Sequence, residues 1–430
     1  MAKIIIIGGG FAGLTSAVQL AQNNIKVKLL EASPKLGGRA YSLSIPKHDD
    51  MIDNGQHILM GCYKETFKFL EIIKSKHNLD FQKKLKVDFV ERGGRSFLLE
   101  SGSIFYPFNL LSAILKYNAF GIRNRLRALS VMLSLPFTNT KKIESLTVSE
   151  WLGKKKQNNS TITKLWEIIA IGTMNTTLDK ASALMFVDIL RQIFLSGNKA
   201  STIVLPAKDL SAVYCEQAKD FLEKNNCEVI TSEQVVSLES DGKKIIKVKT
   251  DKHTYENFDY VISSIPPYSL AKILPAELQT QFDNIKFEYS PILNIHIWLK
   301  DNPFTEKFCG LIDSKIHWIF NHGKHISLVT SSAEELIDLP PEEIIEIACK
   351  ELEEYFPVFN KDLVTDYKII KEKRATFIPS VENTKSRLKL PQSISNLFFA
   401  GDWTNTGLPS TIEGAVKSGF TAAENTLKQQ

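Results

Sequence analysis

Hydrophobic positions along the chain switch between two periods. Residues 3–7 form a short β-branched run that passes directly into glycines, residues 14–22 have helical spacing, and residues 25–31 are again a compact apolar run. Strand, helix and strand joined this tightly make a βαβ unit, which implies a parallel sheet. Residues 33–38 interrupt regular structure, 67–78 read as helix, and 81–99 alternate as short strands. Helices are expected at 108–118, 122–135, 163–171 and 181–195, in a block outside that first sheet. Strand patterns return at 227–230, 234–239, 244–248 and 260–265, the last stopped by Pro266-Pro267. Alternation at 292–300 and 315–320 predicts a second sheet. Residues 341–355 predict an amphipathic helix, 397–400 a last buried strand and 411–427 a last helix.

A chain of 430 residues exceeds what one core usually covers. The reading is therefore α/β with two interleaved domains, one from 1–75, 200–275 and 385–430, the other from 76–199 and 276–384. With 43% hydrophobic and 23% charged residues the composition is that of a packed globular enzyme. A net charge of +5 is too small for a nucleic-acid partner, which the reading excludes, but suits an anionic lipid surface. Cys62, Cys215, Cys227, Cys309 and Cys349 are scattered, without a C-x-x-C pair, and read as free thiols in a reducing compartment; no metal site is expected. The first apolar run is too short for a signal peptide, and no apolar run reaches the roughly 18 residues of a membrane span. The expected location is cytoplasmic, with any membrane contact peripheral and on the inner face.

Gly8-Gly9-Gly10-Phe11-Ala12-Gly13 is a G-x-G-x-x-G strip placed between strand and helix, the context that gives the motif meaning. Gly8 permits the turn, Gly10 lets a pyrophosphate approach, and Gly13 lets helix and strand pack. Phe11 and Ala12 open the helix whose free N–H groups meet the phosphates. Glu31, at the end of the second strand, is placed to accept from ribose hydroxyls and disfavours a 2′-phosphate. Dinucleotide binding follows.

The strip Glu31-Ala32-Ser33-Pro34-Lys35-Leu36-Gly37-Gly38-Arg39-Ala40 resembles the second phosphate arm of the amine oxidase and phytoene desaturase flavoprotein superfamily. The resemblance implies FAD, held by a Rossmann-type domain interleaved with a mixed α+β substrate domain. In it Gly38 admits the backbone and Arg39 adds positive charge near the pyrophosphate. Phe398-Phe399-Ala400-Gly401-Asp402 and Thr411-Ile412-Glu413-Gly414-Ala415 resemble the closing motif of the same superfamily. That implies backbone contact of Gly401 and Asp402 with the ribityl-phosphate region and a helix N-terminus near Ile412 aimed at the flavin N1/C2 edge, where it favours negative charge. Val235, in a strand pair over 227–238, takes the position whose backbone meets adenine; it reads equally as a core valine.

Asp53-Asn54-Gly55-Gln56-His57-Ile58-Leu59-Met60-Gly61-Cys62-Tyr63 would run along the isoalloxazine, with Gly55, Gln56 and His57 as contacts. Together with Gly401-Asp402-Trp403-Thr404 it resembles the hydroxysqualene dehydroxylase family, squalene-associated FAD enzymes of bacterial hopanoid pathways. Asn175-Thr176, Ala181-Ser182-Ala183, Phe194-Leu195-Ser196-Gly197, Leu205-Pro206, Asp209-Leu210-Ser211 and Arg374-Ala375-Thr376-Phe377 agree. The family implies reduction of an allylic C30 alcohol to squalene by hydride from reduced flavin N5, with a lipophilic isoprenoid substrate and an external electron donor. A proton must reach the leaving hydroxyl. His57 is the first candidate because an ordinary imidazole titrates near neutrality, with Tyr63 and Asp53 behind it. Alternatively His57 and Gln56 hydrogen-bond the flavin or brace the loop. Residues 105–137 mix Phe108, Leu110, Leu111 and Ile114 with Arg123, Arg125 and Arg127; they fit a membrane-resting segment or a core helix with a solvated face. Rival readings are a carotenoid-type desaturase with hydride running the other way, an amine oxidase with Trp403 as half of an aromatic pair, and a non-catalytic FAD-binding carrier.

Overall fold

The computed structural model describes residues 3–282, 287–387 and 394–429. The helices that bear on the site are α1 (Phe11–Gln22), α2 (Lys64–Ile72), α3 (Phe108–Lys116), α4 (Ile122–Ser134), α5 (Ala183–Leu195) and α6 (Ile412–Leu427).

Lys3–Ile7 lies at the centre of a parallel sheet, between Lys26–Leu30 and Tyr260–Ser263; Glu228–Ile230 and Leu397–Phe399 form its edges. Ile4 through Ile7 are all buried because both faces are covered, as parallel strands require. Ile4 and Ile6 pack against α1 and α6; Ile5 and Ile7 pack against a small antiparallel sheet of Val235–Ser240, Ile245–Thr250 and Thr254–Tyr255. The expected strand pair over 227–238 is therefore two strands in two sheets, separated by Ser232 at φ 56° and the buried Glu233. Helix α6 lies so close on α1 that a methyl on Gly419 would sit 2.4 Å from Ala12 O, and Ser16 Oγ donates to Gly419 O (3.0 Å).

The second sheet has seven strands in the order Val364–Phe377, Tyr289–Leu299, His325–Ser331, Trp318–Asn321, Phe308–Leu311, Lys86–Glu91 and Arg95–Glu100. One face carries Leu293, Ile295 and Ile297 against the helix Pro341–Tyr355. The other carries Phe89, Phe320 and Val329 against α3, α4 and α5. A three-stranded ribbon pairs Ile203–Pro206 with Leu59–Met60 and Leu79–Phe81, and the hairpin Ser42–Ile45/Asp50–Asp53 leads into the Asp53–His57 stretch. The helix expected over 67–78 begins earlier and stops at Ile72. Lys74 takes φ 57°, and a single 3₁₀ turn follows at Lys76–Asn78.

Candidate flavin site

The parallel strands all end at one edge, which is where such sheets bind ligands. Gly8 follows Ile7 at φ 102°, and a methyl on Gly13 would lie 2.0 Å from Gly8 O, so the strand–helix turn closes only without a Cβ there. Gly38, at φ 59°, faces Gly10 closely: a methyl on Gly10 would lie 3.7 Å from Gly38 Cα. Gly37 N donates to Gly9 O (2.9 Å), joining the two glycine loops. Behind them Tyr214 stacks on Phe11 (centroids 3.7 Å apart) and donates to Gly37 O (3.1 Å). Ala12 is buried in the first turn of α1. Glu31 accepts from Gly9 N at Oε2 (2.6 Å) and from Ser33 N at Oε1 (2.8 Å), fixing its carboxylate beside the turn. Two side-chain-free loops, a helix start and a fixed carboxylate fit the pyrophosphate and ribose of FAD.

Gly401, at φ 139°, follows the edge strand Leu397–Phe399. Arg39 is half-buried and ion-paired. Its Nη2 pairs with Asp402 Oδ1 (2.5 Å) and its Nη1 donates to Ala375 O (2.8 Å), while the second oxygen of Asp402 takes the Ser410 hydroxyl. The pair ties the strip over residues 31–40 to the closing motif, and Asp402 balances part of the Arg39 charge. Ile412 opens α6, with Thr411 Oγ1 accepting from Gly414 N (3.1 Å). Glu413, in the same first turn, accepts from Glu65 N (3.0 Å), Thr66 N (2.9 Å) and Thr66 Oγ1 (2.7 Å). One buried carboxylate thus answers the positive ends of both α2 and α6.

The facing wall is the strip after the hairpin. Asp53 accepts at Oδ1 from Ser42 Oγ (2.8 Å) and Leu210 N (3.0 Å); burial, with Asp209 nearby, pushes its pKa up to about 6. It clasps the hairpin to the start of the helix that opens at Leu210. Asn54 holds the phosphate arm, accepting from Tyr41 N (3.1 Å) and donating to Arg39 O (2.9 Å). Gly55 lies directly under Asn294, whose side chain leaves no room for a Cβ and donates to Asn54 O (3.0 Å). Gln56 is half-buried. His57 Nδ1 lies 2.6 Å from Gly55 O, so that nitrogen carries the proton in the neutral ring and Nε2 is the acceptor. Burial lowers the His57 pKa, which departs from the ordinary imidazole expected from sequence.

Tyr63 hydrogen-bonds Thr411, and burial followed by the neighbouring Cys62 and Glu413 holds its phenol well above the usual range. With Met60, Thr173, Ile193 and Leu408 it lines a cavity of about 30 Å³. Val235 is buried in the core beneath the parallel sheet, where Trp403 also packs, against Phe282 and Phe399. Trp403 is thus a core residue, in the same cluster as Val235. A larger cavity of about 580 Å³ opens between residues 163–171 and the strands around Trp318; its lining is mixed, with Ile168, Ile171, Leu311 and Trp318 beside charged groups such as Arg92, Glu167 and Lys315.

Residues 11–427 match the family described as flavin containing amine oxidoreductase. The chain belongs to that family. It is an FAD-dependent oxidoreductase. It is similar to a hydroxysqualene dehydroxylase of Zymomonas mobilis, 27% identical over 98% of both chains. It is also similar to a zeta-carotene desaturase of Synechocystis, 22% identical over 100% of this chain and 98% of that one. Among solved structures an oxidoreductase from Methanosarcina mazei shares the fold, with a TM-score of 0.73 at 15% identity, covering 98% of this chain and 100% of that one.

Within this flavin-containing amine oxidoreductase, several residues that shape the site carried no sequence signal. Arg387 is buried and donates to Asp402 O (2.9 Å), Thr404 O (2.9 Å) and Leu408 O (2.7 Å), folding the 402–408 loop around one guanidinium. Tyr214 and Asn294 act from 150 residues or more along the chain from the loops they support. Glu413 was legible as part of a motif, but not as the cap of α2.

Proposed function

We propose that this oxidoreductase reduces hydroxysqualene to squalene. The observation that carries the reading is the end-to-end likeness to the Zymomonas hydroxysqualene dehydroxylase. In this reading 1–75, 200–275 and 385–430 hold FAD, through Gly8–Gly13, Glu31, Gly38, Arg39, Gly401, Asp402 and Ile412, and the remaining segments form the substrate chamber. Reduced FAD supplies the hydride. Support comes from the wall the isoprenoid would meet: Ile58, Met60, Cys62, Phe194, Leu205 and Ile292 pack onto the apolar cluster between α3–α5 and the second sheet.

Ionising an allylic C–O bond requires a proton for the departing oxygen and surroundings that offer the cation no nucleophile. In this reading Tyr63, kept as a neutral phenol by burial, gives the departing oxygen a hydrogen bond. His57, neutral and accepting at Nε2, orients rather than delivers the proton in the resting state. An external donor returns electrons to the flavin, and the substrate's insolubility implies peripheral contact with a membrane; no helix among the described residues is long and apolar enough to cross one.

The test is anaerobic. Protein reduced with dithionite is mixed with hydroxysqualene while flavin absorbance is followed and the lipid product identified by mass spectrometry. Reoxidation with squalene formed is the expected result. A flavin that stays reduced, but bleaches when oxidised enzyme meets a polyene, would replace this reading with the desaturase reading that the Synechocystis relative favours.

A further inference from the structure

We propose that the outer face of α3, α4 and the turn after α4 docks on an anionic lipid bilayer. The inference rests on the isoprenoid reading only for its purpose; its grounds are exposure, spacing and charge. Phe105 is 76% and Phe137 86% exposed, and Ile104, Phe108, Ile122, Leu126 and Leu133 are each at least half exposed. Among the described residues only Val358 elsewhere reaches that exposure for a large apolar side chain. So concentrated a patch marks an interaction surface.

The sequence arranges it. In α4, Ala128, Val131 and Met132 form the buried stripe, with half-buried Leu129 packed on the same core, while Ile122, Leu126 and Leu133 lie exposed at i, i+4 and i+11 on the outer side. In α3, Leu110, Ala113 and Ile114 face inward and Phe108 and Leu115 outward, with Phe105 edge-on to Phe108 at 5.2 Å.

Charge names the occupant. Residues 101–143 contain no Asp or Glu, whereas the average for the chain (48 in 430) would place about five there. The same span carries Lys116, Arg123, Arg125, Arg127, Lys141 and Lys142. Arg125 is committed to the fold, donating to Phe120 O (3.1 Å) and Leu115 O (2.9 Å), but Lys116, Arg123, Arg127, Lys141 and Lys142 are exposed. Apolar side chains rimmed by unopposed cations match acyl chains beneath anionic headgroups. A two-fold contact with a second copy would set this uniformly basic face against itself. The dock also leads inward. The buried stripe of α3 belongs to the cluster that reaches Met60 and Cys62, and α3 meets the end of α5 and the loop after it through Tyr106 Oη to Phe194 O (3.0 Å) and Asn109 Nδ2 to Asn198 Oδ1 (2.6 Å).

Vesicle flotation of the FAD-loaded protein tests the dock, using phosphatidylcholine vesicles with and without phosphatidylglycerol. Wild type should float with the anionic vesicles and lose binding as salt rises. The Phe105→Asp/Phe137→Asp variant should bind roughly tenfold or more weakly, and Arg123→Glu/Arg127→Glu should lose the preference for phosphatidylglycerol, both retaining wild-type flavin absorbance. Wild type that floats with neither vesicle, or variants that float like wild type, would overturn the proposal. So would a concentration-dependent dimer in sedimentation that these substitutions abolish. Hydroxysqualene turnover in detergent micelles separates the two readings: failure there with flotation intact removes the substrate and leaves the dock standing.

Discussion

Asp53→Asn should stabilise the protein at neutral pH. Both hydrogen bonds that hold the Asp53 side chain end on Oδ1, so an asparagine with its carbonyl in that place keeps Ser42 and Leu210 and sets an NH₂ where the second oxygen was. What it removes is a charge that burial disfavours. Burial lifts the carboxyl to about 6 in the fold from an ordinary 3.8. A pKa raised by folding favours the fold most below pH 3.8, and that contribution is lost as pH rises through about 6. The 2.2-unit difference, 6 − 3.8, corresponds to about 3 kcal/mol at 1.36 kcal/mol per unit, a ceiling that desolvation of the new NH₂ reduces to about 1–2 kcal/mol. Urea unfolding at a series of pH values reads it directly. The variant's advantage should be small near pH 4, open between about pH 4 and 6, and stay level above about pH 7. A variant less stable than wild type at pH 7 but equal to it at pH 4 would show the carboxylate to be stabilised as an anion and refute the reasoning. Turnover gives an independent check: if activity collapses while stability rises, Asp53 and not Tyr63 supplies the proton.

Gly13→Ala should abolish FAD retention, because its methyl would fall 2.0 Å from Gly8 O; the flavin-to-protein absorbance ratio of the purified variant checks this. Arg387→Met leaves the carbonyls of Asp402, Thr404 and Leu408 without their donor and should cost about 3–5 kcal/mol in denaturant unfolding, with faster FAD loss on dilution. Tyr63→Phe should lower turnover by about 10²–10⁴ with FAD still bound, measured as flavin reoxidation in single-turnover stopped flow. Because burial lowers the His57 pKa, turnover should be flat from pH 6.5 upward; a limb falling as pH rises through that region would return the proton to His57.

What the sequence made legible is what short-range spacing encodes. Ile4 to Ile7 running into Gly8, with Glu31 closing the next strand, needs nothing beyond thirty residues to be read. The amphipathic helix Pro341–Tyr355 is found where its periodicity places it. Three strands of the second sheet escaped for a physical reason. Phe308–Leu311 and His325–Ser331 are buried at every position, so no alternation exists to detect, and His325 and Ser327 look like loop residues until their partners arrive. Those partners are distant: His325 Nδ1 meets Asp50 (2.8 Å), and Ser327 Oγ meets His296 (2.9 Å). Val364–Phe377 has the opposite character, with its polar side chains exposed or half-exposed apart from Thr376. In the site, residue type was readable and environment was not. The strip announced His57 and Asp53, but the Leu210 amide and the burial that moves both pKa values arise only when the helix start at Leu210 and Asn294 fold onto it.

The contact of Gly419 with Ala12 and Thr15 also sets a timetable. Helix α1 leaves the ribosome long before α6, the surface it needs, is made. At about 5–20 residues per second the intervening 400 or so residues take roughly 20–80 s to emerge. Throughout that interval Leu14, Val18 and the even-numbered isoleucines of the first strand have no α6 to pack against. Chaperones that shield apolar segments therefore have a long window on the nascent strand and α1, and a ribosome stalled a few codons before Ile412 would release a chain whose parallel sheet lacks its α6 cover.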